Sequence, residues 1–249
     1  MSAPASAVPV VAALARGELR LAARRGESLL VTLVIPPAVL VFFAGSGIVP
    51  APSGRPVDFL LPGSIALAVI ASGLVSLGIA TAYERSYGVL KRLGGAPIGR
   101  SAVIAAKILA VLAVQAFQLA LLLAVAWLVL GWRPAVGLTP GIIVVALLLG
   151  TLAFAGLGLL MAGTLRAEAT LAGANGLFLL FLMLGGIVLP VDHLAAPLDA
   201  LAGVLPAAAL SEALRAGFGT GGDPIGPLAL LAAWGAAAGP LAARSFRPE

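Results

Sequence analysis

Residues 141–164 read GIIVVALLLGTLAFAGLGLLMAGT. The stretch contains no Asp, Glu, Lys or Arg, and its apolar residues run on without alternation. A spanning helix needs about 20 mostly apolar residues. A membrane β-strand would instead alternate apolar and polar side chains over about ten. The segment therefore predicts a transmembrane helix.

Five more stretches fit the same template. They are 29–49, which carries Pro36 and Pro37; 60–82; 108–130, with Lys107 at its start; 170–189; and 225–243, short and rich in Ala and Gly. The expected fold class is an all-α membrane protein with six transmembrane helices in a single domain over residues 1–249. The first apolar run follows a basic segment and lacks a cleavage pattern, so it is expected to span rather than to be a signal peptide.

Composition agrees. Hydrophobic residues make up 61% of the chain and charged residues 10%, and the mean hydropathy is +1.13. A soluble domain is roughly 45–50% apolar and about 25% charged. Too little polar surface exists here to cover a particle in water, so membrane lipid is the expected solvent. With no cysteine there is no disulfide framework and no thiolate metal site. The single histidine, His193, cannot build a histidine-rich metal site, and no metal site is expected. Arginine far outnumbers lysine, and Ala and Gly abound, a bias of high-GC bacterial genomes.

The net charge of +5 would suggest nucleic acid in a soluble protein. In this chain it follows the positive-inside rule, and no nucleic-acid partner is expected. With the N-terminus inside and six spans, Arg16, Arg20, Arg24, Arg25, Arg85, Lys91, Arg92, Arg100, Lys107, Arg166, Arg244 and Arg247 lie on the cytoplasmic side. Arg55, Arg133 and Arg215 lie opposite. The reversed arrangement inverts this ratio. The expected location is a bacterial cell (inner) membrane, multi-pass, with both termini cytoplasmic.

Three stretches do not span. In 1–27, Arg16, Arg20 and Arg24 recur every four residues, with Val10, Leu14 and Leu21 on another face. That pattern suits an amphipathic helix in the membrane interface, or an ordinary solvated helix. Residues 83–100, YERSYGVLKRLGGAPIGR, form the longest cytoplasmic connection. From Tyr83 to Leu93 there is room for about three helical turns, ended by Gly94, Gly95 and Pro97. Residues 190–224 lie on the outer side. There 198–214 is too short to span and is interrupted by Pro206, so short re-entrant or interfacial helices are expected before the last span.

Enzyme chemistry is hard to place. Neither Lys91 nor Lys107 follows the Gly-rich turn of a P-loop. There is no H-E-x-x-H and no G-x-S-x-G, and no catalytic residue is assigned. Glu84, Glu168, Asp58 and Asp192 all fall at span ends, and Lys107 is close enough to the boundary to snorkel. A secondary transporter would keep a carboxylate at mid-membrane, so ion coupling is disfavoured and a path for an apolar or amphipathic substrate is favoured. The mid-span polar residues are Gln115 and Gln118, which share a face, and Asn175. They serve either interhelical hydrogen bonding or a substrate path. Gly235 and Gly239 allow close backbone approach, within the chain or at a dimer seam.

The connection after the second span reads Glu84, Arg85, Ser86, Tyr87, Gly88, Val89, Leu90, Lys91, Arg92, Leu93, then Gly94, Gly95, Ala96 and Pro97. It resembles the E-R-E-x-G-T-L-K-R-L signature of the ABC-2 type permeases, the membrane subunits of ATP-binding-cassette exporters. It departs at Ser86 and Val89. The layout of elbow helix, six spans and long outer connection is similar to the daunorubicin-resistance drug exporter branch. The resemblance implies that two permease copies, identical or sister, pair above two soluble ABC ATPase subunits. ATP and Mg would sit on those partners, with no cofactor bound by this chain. Glu84, Arg85, Gly88, Val89, Leu90, Lys91, Arg92, Leu93 and Pro97 would form the segment that couples to the ATPase, burying Val89, Leu90 and Leu93 in its groove. The alternatives are a topology-setting loop that touches only lipid headgroups and, for the whole chain, a stand-alone transporter or channel or a membrane-embedded lipid-modifying enzyme.

Overall fold

A computed structural model describes residues 7–24, 26–47, 49, 55–89, 99–134 and 136–245. The helices run in the order α1 (Ala7–Arg24), α2 (Gly26–Ser46), α3 (Pro56–Ser86), α4 (Arg100–Leu128), α5 (Pro140–Thr164), α6 (Ala167–Leu184), α7 (Leu198–Val204), α8 (Pro206–Gly217) and α9 (Ile225–Ser245). No strand occurs among the described residues. Proline opens α3, α5 and α8, where a missing N–H costs nothing because the first turn has no partner for it.

Among the described residues, five helices are long and apolar enough to cross a membrane: α3, α4, α5, α6 and α9. The stretch expected to be the first span contributes a shorter apolar helix, Thr32–Ser46, within α2. Pro36 and Pro37 both lie inside α2. The helix α3 sits at the centre: 78% of its apolar window is buried by the rest of the chain, against 22% in α4 and in α6 and 17% in α9. The outer helices therefore turn apolar side chains such as Phe117, Leu179 and Met183 away from the protein. In water such faces would aggregate; in hydrocarbon they are solvated.

Small residues set the closest helix contacts. A methyl group added to Gly158 of α5 would stand 2.7 Å from the Gly73 carbonyl oxygen of α3, and one added to Gly78 would stand 3.1 Å from the Gly158 Cα. On the other side of α5, a methyl on Gly156 would lie 2.9 Å from Ala238 Cβ and 3.2 Å from Gly239 N of α9. Gly235 therefore packs against α5 at Leu152 and Ala153, while Gly239 offers α5 its backbone N and a methyl added to it would meet nothing within 4 Å. Without a hydrophobic force between helices in lipid, this close approach supplies the dispersion that joins them.

Several boundaries differ from the hydropathy reading: α6 ends at Leu184 rather than at 189, and two differences bear on the motif. First, α3 extends beyond 60–82 to Ser86, so Tyr83–Ser86 belong to the end of a span-length helix rather than to a separate connector helix. Its end is set by Gly88, whose φ of +71° lies in the left-handed region. Second, α4 begins at Arg100, which places Lys107 two turns inside the helix rather than at its mouth. The stretch 198–214 divides at Pro206 into two short helices, α7 and α8, as its sequence suggests, but α8 is packed among α3, α5 and α9 with most of its residues buried rather than lying in the interface. Its run of Ala207, Ala208 and Ala209 makes this fit possible, as does Leu210 against Gly150.

Candidate functional site

The C-terminal end of α3 carries the first half of the motif, and four contacts surround it. Lys107 on α4 donates to Glu84 Oε2 at 2.6 Å and to Glu18 Oε1 on α1 at 2.8 Å. Lys107 is 1% exposed, so it does not snorkel; it is sealed between two carboxylates. An ammonium in low dielectric needs such partners, because the bare charge would be too costly to bury. Arg85 reaches the other way and donates to the Ala162 carbonyl near the end of α5 at 2.6 Å. Tyr83 and Tyr87, one turn apart, hold their ring centroids at 6.0 Å. Movement of this helix end is therefore felt by α1, α4 and α5 together.

Of the expected coupling residues, Glu84 is buried, Arg85 is half-buried, Gly88 forms the break and Val89 is exposed. Leu90, Lys91, Arg92, Leu93 and Pro97 lie outside the described residues.

Deeper in the bundle, α3 contains a π-helical turn, Ala71–Ser76. Such turns widen the backbone ladder locally and recur at functional positions. Gln115 on α4 bridges this turn to α5. Its Nε2 donates to Ser72 Oγ at 2.9 Å, and its Oε1 accepts from Thr151 Oγ1 at 2.6 Å. All three side chains are buried. Gln118 donates to the Thr32 carbonyl of α2 at 3.0 Å, and its Oε1 has no hydrogen-bond partner among the described residues. Gln115 and Gln118 thus act as interhelical clamps in this conformation. Asn175 on α6 donates to its own helix, at Leu171 O, and faces a cleft between α1, α3, α4 and α6.

At the opposite end Arg215 on α8 is buried. Its guanidinium lies 3.9 Å from the centroid of Phe59 on α3 and donates to the Gly186 carbonyl. Burial lowers Arg215 to about 10, with Glu212 and Asp192 opposing the shift. It stays charged at neutral pH and pins α8 to the start of α3. Among the described residues no group of three or more His, Asp or Glu could hold a metal ion.

Sequence reasoning passed over Glu18, Ser72 and Thr151. The signal for Glu18 was present: it is the one acid in α1, and an isolated lysine inside an apolar helix demands a counter-ion.

Comparison with known proteins bears on the same region. No curated protein matches the chain. The family model described as ABC-2 type transporter matches residues 9–218, from the first turn of α1 through α8. The match takes in the motif, the ion cluster and the polar clamp, and the chain belongs to the ABC-2 type transporter family, the ABC-type permeases.

Proposed function

We propose that the chain is the membrane subunit of an ATP-driven exporter, of the daunorubicin-resistance type, that moves a hydrophobic or amphipathic molecule out of a bacterial cytoplasm. Two copies, or this chain and a sister permease, pair in the membrane. ATP is bound and hydrolysed with Mg by separate soluble ABC ATPase subunits. On this reading α2 is the sixth span, α1 lies in the inner interface and both termini are cytoplasmic.

The observation that carries the reading is the anchoring of the motif. Glu84 and Arg85 are tied to α1, α4 and α5, and the chain leaves them through Gly88 into residues 89–97. A partner that grips this segment has a rigid lever on four helices. Nucleotide in the ATPase shifts the permease only through contacts that differ between its two states, and this segment is where such contacts are made. The apolar faces of Leu90 and Leu93 fill a groove, while Lys91 and Arg92 pair with acids at its rim. Gln115, Gln118 and Asn175 flank the substrate path, with the two glutamines exchanging partners as the helices move.

The test is co-purification with a co-expressed soluble ABC ATPase that carries a P-loop, followed by substrate-stimulated ATP hydrolysis in lipid. A stand-alone transporter would instead move substrate in liposomes with no ATPase present.

A further inference from the structure

The open cleft between α1, α3, α4 and α6 has a volume of about 760 Å³. Small-molecule sites occupy roughly 300–1,000 Å³ and are apolar with a few placed polar groups. This one is walled by Leu21, Val75, Val111, Val114 and Leu171, with Ser72 and Ser76 of the π-helical turn at its side. The rings of Tyr83 and Tyr87 border it at one end.

Among the described residues that line it, the charged groups are Glu18 and Lys107. They do not face the cleft equally. Lys107 is 1% exposed and shares its charge between Glu84 and Glu18, whereas the Glu18 side chain is 24% exposed. An entering molecule therefore meets a carboxylate whose counter-ion is divided and turned inward. An anion would have to displace a carboxylate to reach Lys107. A cation gains Glu18 directly, and ring faces such as those of the two tyrosines attract cations further.

We propose that this cleft binds a lipophilic monocation: an ammonium or phosphonium centre on an apolar body, with Glu18 as counter-ion, Tyr83 and Tyr87 as ring faces and the α3–α4–α6 wall receiving the apolar part. This names the substrate class of the permease proposed above, and its role in transport rests on that reading; binding itself does not.

The test uses the full chain in phosphatidylcholine nanodiscs, with empty discs subtracted. The probes are tetraphenylphosphonium and tetraphenylborate, close in size and opposite in charge. The site predicts saturable binding of the cation, one per chain, and no saturable binding of the borate. Glu18→Gln weakens the cation at least tenfold and Glu18→Asp retains it. Tyr87→Leu, at an exposed position where folding is not at stake, weakens it at least threefold. Saturable borate binding of equal affinity overturns the proposal, as does wild-type cation affinity in both Glu18→Gln and Tyr87→Leu. The two readings fail separately. ATP hydrolysis in complex with an ATPase but no phosphonium binding removes the cation site alone. Phosphonium binding with no ATPase ever captured leaves the site and removes the exporter.

Discussion

Lys107 Nζ lies 2.6 Å from Glu84 Oε2, and this contact joins a fully buried lysine to the first acid of the permease motif. The pair ties α4 to α3 near the C-terminal end of α3, and Glu18 extends it to α1. Breaking a buried ion pair by removing one partner costs about 3–5 kcal/mol, because the other charge is left uncompensated. Lys107→Met is expected to lose stability of that order. Lys107→Met with Glu84→Gln should recover part of it. A double-mutant cycle read by thermal unfolding in detergent checks both statements; additivity would show that the two groups act independently.

Gln115→Leu removes the bridge between Ser72 and Thr151 but leaves Thr151 within 2.6 Å of Leu147 O and Ser72 within 2.9 Å of Ala68 O. Neither hydroxyl is orphaned. Interhelical hydrogen bonds in membranes average about 0.6 kcal/mol, so the loss of two should cost about 1 kcal/mol in reversible unfolding from mixed micelles. A loss several times larger would mean that the clamp holds more than these two bonds.

Two glycines give a contrast. Gly158→Ala puts a methyl 2.7 Å from Gly73 O and 2.9 Å from Leu74 O, both backbone atoms. The helices α3 and α5 must move apart, at about 1–3 kcal/mol. Gly176→Ala on α6 meets nothing within 4 Å and gains up to about 1 kcal/mol of helix propensity. Melting temperatures of the two variants should move in opposite directions.

Topology is open to direct labelling because the chain has no cysteine. Ser2→Cys should resist a membrane-impermeant maleimide in intact cells, while Val136→Cys, in the exposed connection between α4 and α5, should react. Labelling of Ser2→Cys from outside would invert the orientation drawn from Lys and Arg.

Much of the bundle was legible because hydrocarbon demands long uncharged runs. The stretches 141–164 and 225–243 differ from α5 and α9 by a residue or two at their ends. The C-terminal end of α3 was not legible. Hydropathy falls at Tyr83–Ser86, yet the helix continues, since burial of Glu84 against Lys107 replaces lipid as the reason to stay ordered. That pairing crosses 23 residues, and Lys107 to Glu18 crosses 89, distances over which no periodicity signals contact. Gln115 was readable as a mid-span polar group, but its partners were not: Ser72 and Thr151 are short side chains that look like packing residues until the π-helical turn brings them together.

The central claim is that an external ATPase drives this permease through residues 89–97. The most direct measurement is ATP hydrolysis by a soluble ABC ATPase reconstituted with the wild-type chain, Leu90→Asp or Leu93→Asp, each variant first shown to insert and to keep its melting temperature. Hydrolysis stimulated by the wild-type chain and lost in both variants is the expected result. Equal stimulation by all three, or an ATPase that never binds the wild-type chain, would contradict it.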